Sequence, residues 1–168
     1  MSSSQLLEWF RGRIGGRWFE DVEVRADREE ILVIGTIPAP SIAAGVDAAV
    51  RRAAALARID AFREETREPR MAIAAEAEAR FERKVSWGVR CDGVEKRFTV
   101  ANVPVMTRLL LDERQVLDTL IDGGIARSRS EALAWCVKLV GANQREWIED
   151  LRRALVAVEE VRGKNPLS

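Results

Sequence analysis

The chain has 168 residues, of which 47% are hydrophobic, and its 27 basic side chains are balanced by 27 acidic ones. That length accommodates one composite domain or two small ones, and zero net charge argues against the strongly basic class that coats DNA by phosphate neutralisation alone. There is no histidine, and the only cysteines, Cys91 and Cys136, lie far apart; no zinc site and no Cys–His or Ser–His nucleophile can be assembled, which points to a non-enzyme with no metal and no cofactor.

From the N-terminus, residues 5–13 (QLLEWFRGR) read as a short amphipathic helix ended by Gly15-Gly16. The start MSSSQLLEWFRGR lacks the apolar core of a signal peptide and no run of 18 apolar residues follows, so the expectation is a cytoplasmic protein without membrane contact. Asp21 to Ala26 and Glu30 to Ile37 alternate and are β-branched, which predicts a hairpin around Asp27-Arg28-Glu29, closed by Pro38 and Pro40. Ser41 is a candidate N-cap for a long alanine-rich helix, and Pro69 is expected to break or kink it. A second helix runs from about Arg70 to Arg83, and VSWGVRCDGVEKRFTV then reads as a second hairpin, because Asp92-Gly93 supplies the positive φ angles of a tight turn. Two hairpins flanking a helical pair predict an α+β domain over residues 1–103, built on a small antiparallel sheet.

Residues 105–140, VMTRLLLDERQVLDTLIDGGIARSRSEALAWCVKLV, change the pattern. Val105 to Leu111 reads as a strand too short to form a sheet by itself, so it needs a second strand. Val116, Leu117, Leu120 and Ile121 then fall at helical spacing, and Gly123-Gly124 ends that helix. Ser128-Arg129-Ser130-Glu131 has the spacing of a capping box, in which the Ser128 hydroxyl accepts from the helix start and Glu131 reaches back to the Ser128 N–H. Behind it Ala132, Leu133, Cys136, Val137 and Val140 form an apolar stripe, which places Cys136 in a core, and Gly141 ends the helix. Asn143-Gln144-Arg145-Glu146 offers another capping box for a last helix to about Arg162, with Trp147, Leu151, Leu155, Val158 and Val161 on one face. The favoured expectation is that this helix packs on its own domain; the alternative is that it pairs with a dimer mate. Residues 104–162 thus form a second module, and 163–168 a tail.

The order strand, helix, glycine turn, Ser-Arg-Ser-Glu-Ala, helix resembles the ribbon-helix-helix family (Arc/MetJ-like) of small DNA-binding repressors and antitoxins. The resemblance covers about residues 105–140. It implies a homodimer in which two chains pair their strands into a ribbon that enters the DNA major groove, while the start of the second helix meets a phosphate. By position, Met106, Arg108 and Leu110 would face the groove, and Arg127, Ser128, Arg129 and Ser130 would lie at the phosphate. Residues 80–108 hold seven basic side chains against three acidic ones, which makes Arg90, Lys96 and Arg97 candidate additional contacts.

Two functions follow. The first is a dimeric bacterial transcription regulator bound to double-stranded DNA. The alternative uses the ribbon-helix-helix segment only for dimerisation, as in an antitoxin or assembly factor that binds a protein partner through the N-terminal domain. Met106 and Leu110 offer only apolar contact to base edges and residues 104–168 carry ten basic and ten acidic side chains, which favours the alternative; Arg108 and the Ser128-Arg129-Ser130 helix start favour the first.

Overall fold

The computed structural model describes residues 3–43 and 45–164, and the chain divides into two compact units between Pro104 and Val105. The first unit runs α1 (Ser3–Ile14), β1 (Asp21–Ala26), β2 (Glu30–Thr36), α2 (Ala48–Glu65), α3 (Arg67–Phe81), β3 (Lys84–Cys91) and β4 (Val94–Arg97). The strands form one sheet in the order β1-β2-β3-β4. Both hairpins are antiparallel as expected, and Asp92 and Gly93 turn the second with φ of 47° and 76°. The sheet as a whole is mixed, not antiparallel, because β2 and β3 pair in parallel with Glu30 opposite Lys84. The α2–α3 connection returns the chain to the end where β2 began, which is what a parallel neighbour requires.

Side-chain alternation decides which face of the sheet is covered. Val33 and Ile31 of β2 with Val85, Trp87, Val89 and Cys91 of β3 share one core with Leu6, Phe10 and Ile14 of α1 and Ile59 and Phe62 of α2. Phe10 has no exposed surface and meets the Trp87 ring edge-on at 6.0 Å. On the other face, Leu32 and Ile34 lie opposite Arg25 and Glu23, and Arg90 joins Glu23 (2.8 Å) to Glu95 (2.9 Å).

The helices depart from expectation at their ends. Gly45 takes φ +84°, a conformation no helix contains, so α2 starts at Ala48 and not at Ser41. The break comes at Thr66, three residues before Pro69, and α3 opens at Arg67. Pro69 then sits in a first helical turn, where its nitrogen owes no hydrogen bond. The Thr66 hydroxyl donates to the Phe62 carbonyl (2.6 Å), and buried Arg70 donates from Nε to Thr66 Oγ1 (2.9 Å) and from Nη2 to the Arg63 carbonyl (2.6 Å). The same guanidinium lies 4.7 Å from the Phe98 ring centroid. Burial pushes its pKa down to about 10, so it stays cationic at neutral pH. Phe98 in turn donates its N–H to the Trp87 carbonyl (2.8 Å), which pins the chain where it leaves β4.

The second unit holds α4 (Leu111–Asp122), α5 (Arg129–Asn143) and α6 (Arg145–Gly163). The strand expected over Val105–Leu111 is not formed: residues 98–110 are neither helix nor strand, and Leu111 already belongs to α4. A lone six-residue segment has no neighbour within the chain to complete its hydrogen bonds. Gly141 does not end α5, and Gln144 at the head of α6 makes no side-chain cap bond, so the second capping box is absent. The tail expected from Gly163 has its last four residues, 165–168, outside the described ones.

Candidate nucleic-acid interface

The helix pair is organised from its ends. Leu110 is extended (φ −73°, ψ 175°) and donates its N–H to the Glu113 carboxylate at 2.6 Å, while Asp112 and Glu113 place negative charge in the first turn of α4, where the helix dipole favours it. The Arg114 guanidinium donates to the Leu109 carbonyl (2.6 Å) and holds the preceding segment against the helix start. At the other end Gly124 takes φ +75°, and Ile125 N–H returns to the Leu120 carbonyl at 2.9 Å. That reversal buries Leu117, Ala126 and Ala132, with Leu109, Leu120, Ile121, Leu133 and Cys136 around them. Cys136 is thus packed against a core as its helical position predicts.

Ser128 caps α5 as expected. It is extended, and its Oγ accepts from the Glu131 N–H at 3.3 Å. The reciprocal half of the box is shifted by one residue, since the Glu131 carboxylate accepts from Arg127 N–H (2.9 Å) and not from Ser128. That backbone bond, reinforced by the Arg127 side chain, holds the Glu131 pKa below the usual carboxylate range. The N–H groups of Arg129 and Ser130 are left as the unmatched donors that open any helix.

The basic side chains assigned to the interface are differently engaged. Arg129 forms a bidentate pair with Asp118, Nε to Oδ1 and Nη2 to Oδ2, both 2.7 Å. This hydrogen bonding lowers the Asp118 pKa and raises that of Arg129. Arg127 Nε stands 3.3 Å from Glu131. Arg90 is taken up by Glu23 and Glu95, Lys96 by Asp60 at 2.6 Å, and Arg97 faces Glu95 at 3.7 Å. These three belong to the sheet of the first unit. Arg108 is exposed, and no ion pair engages it among the described residues. Met106 and Leu110 beside it are 97% and 75% exposed. Met106, Thr107, Arg129 and Ser130 line one shallow groove, so the segment preceding α4 and the α5 start meet at one surface of the unit.

Sequence reasoning missed the carboxylate partners. Asp118 lies eleven residues before Arg129, beyond any helical spacing, and only the turn at Gly123-Gly124 brings them together. The Arg127–Glu131 pair, at i and i+4, was open to prediction.

Among the described residues there is no cluster of metal-binding side chains, and no helix is long and apolar enough to cross a membrane. Residues 4–97 match the family described as Rv1265-like protein, N-terminal domain, and residues 111–162 match the Mb1296 C-terminal domain. Neither description is of a ribbon-helix-helix protein. Over 167 residues the chain is 52% identical to the uncharacterized proteins Rv1265 of Mycobacterium tuberculosis and Mb1296 of Mycobacterium bovis, covering 98% of this chain and 71% of each relative. No solved structure matches the chain.

Proposed function

The chain belongs to the family of Rv1265-like proteins, and we propose that it is a homodimeric DNA-binding regulator whose second unit works as a ribbon-helix-helix module. Residues 105–110 of two chains pair as an antiparallel ribbon, Met106, Arg108 and Leu110 face the major groove, and the start of α5 takes a phosphate. One observation carries this reading: a segment that is neither helix nor strand, unpaired within its own chain and with Met106, Arg108 and Leu110 exposed, leads directly into a helix pair whose second member is Ser128-capped and meets that segment at one groove. The N-terminal unit has its own core and is a separate body that senses or tethers.

Fluorescence anisotropy of the full chain on random duplex DNA, at about 50 mM and about 200 mM salt, tests it. Affinity is expected to fall steeply with salt, and Arg108→Ala to weaken binding. No binding at the lower salt overturns the reading. A second reading, dimerisation alone in service of a protein partner, draws on the Asp118 and Glu131 carboxylates that already satisfy Arg129 and Arg127; it expects a dimer indifferent to DNA.

A further inference from the structure

The last helix carries a surface that the ribbon does not use. In α6 the residues Trp147, Leu151, Ala154, Val158 and Val161 follow one another at spacings of 4, 3, 4 and 3, the a/d alternation that keeps one apolar seam facing a partner helix. The structure leaves that seam open: Trp147 is 62% exposed, Leu151 48%, Val158 45% and Val161 69%. The helix therefore does not pack on its own unit in the way its stripe first suggests. We propose that α6 is a self-association element, and that its partner is α6 of a second copy of this chain.

Three observations select a second copy. The first is the spacing itself, since a 3.5-residue repeat is complementary to the same repeat and fits a flat or globular surface poorly. The second is charge. Over residues 145–163 four basic side chains are interspersed with five acidic ones, so each copy carries a single net negative charge and two copies meet with little repulsion, whereas a strongly charged partner would find no complementary field. The third is area. Nineteen residues give a helix of about 28 Å, short for a free coiled coil, which needs roughly three heptads or more. Leu155 widens the seam, and Val137 and Val140 of the adjoining α5 are 66% and 52% exposed. With Trp147, Leu151, Val158 and Val161 these make seven exposed large apolar side chains in the last two helices, the kind of surface from which a standard interface of roughly 800 Å² per partner is built.

Sedimentation velocity of the full chain over a hundredfold range of concentration reads this directly. The wild type is expected to be larger than a monomer, and the double variant Leu151→Glu, Val158→Glu to dissociate at concentrations at least 100-fold higher than the wild type does. Val156→Glu is the control, because Val156 is 56% exposed but lies off the seam; it is expected to sediment as the wild type. Circular dichroism of both variants confirms that the helices persist. A monomeric wild type, a double variant that sediments as the wild type, or a Val156→Glu chain that dissociates equally would each overturn the proposal. A monomeric wild type would overturn the ribbon pairing as well, whereas the two variants bear on α6 alone and the DNA reading is judged separately on duplex affinity and Arg108.

Discussion

The two units handle similar amino acids in opposite ways. Of the buried hydrophobic residues described, nineteen lie in the first unit and three in the second; of the exposed large hydrophobics, four lie in the first and sixteen in the second. A mixed sheet with helices packed on it closes around its own apolar surface. A helix pair with a third helix appended does so only in part: α4 and α5 bury Leu117 and Ala132 between them, while Val137, Val140 and the stripe of α6 stay toward solvent. Monomeric proteins rarely expose contiguous apolar surface on that scale. The first unit thus covers its own apolar surface, while the second leaves most of its large apolar side chains uncovered, as the proposed self-association would require.

Phe10 separates the two units most strongly. That ring is fully buried and sits edge-on between Trp9 (4.9 Å) and Trp87 (6.0 Å). Phe10→Ala is expected to cost about 3–5 kcal/mol, the usual range for emptying such a site, read as a lower denaturation midpoint in tryptophan fluorescence. The loss should be the same at every protein concentration, because the first unit draws nothing from a second copy. The second unit should instead melt at a temperature that rises with concentration. If Phe10→Ala abolished that concentration dependence, the two units would not be energetically separate.

A smaller effect sharpens the contrast by reversing sign. A Cβ built on Gly35 would stand 2.2–2.3 Å from the Phe19 ring, and that ring is itself packed on Phe62 at 5.2 Å. Gly35→Ala should therefore destabilise the first unit by about 1–3 kcal/mol through overpacking. Gly141, inside α5, would gain a Cβ that meets nothing within 4 Å. There the same substitution should stabilise by about 0.5–1 kcal/mol, as alanine is the better helix former. Chemical denaturation of the two variants measures both signs, and a loss at Gly141 would mean that its face is already covered.

What could be read from the chain follows the same division. Strands β1 and β2, the Asp92-Gly93 turn and the Ser128 cap were legible because each is decided by residues within a few positions of one another. The parallel pairing of β2 with β3 was not, since a helix pair lies between them and alternation says nothing about strand direction. The Thr66 bend was displaced onto Pro69 for a related reason: proline marks where a helix cannot continue, but it is also at home in the first turn of the next one. At the candidate interface the sequence located the basic residues and overlooked their partners. Asp118 for Arg129 is distant in the chain, and so are Asp60 for Lys96 and Glu23 for Arg90, which with Glu78 for Lys84 offset most of the apparent excess of positive charge over residues 80–108, Arg108 excepted.

The gentlest perturbation bears on that cancellation. The Asp118 carboxylate accepts both Arg129 bonds at 2.7 Å, and those bonds hold its pKa below the usual range, so it remains ionised throughout the neutral region. Arg129 then brings almost no net charge to the α5 start. Asp118→Asn preserves the shape and one acceptor but removes the countercharge, leaving a guanidinium beside the open N–H groups of the helix. If a phosphate binds there, duplex affinity should rise a fewfold and the magnitude of the salt slope should increase by about 1. Self-association, which depends on apolar surface, should not change. Anisotropy and sedimentation on the same protein would show whether the second unit, already short of a partner for its apolar faces, is also short of one for its charge; unchanged DNA affinity in Asp118→Asn would remove the α5 start from the interface and leave Arg108 to carry it alone.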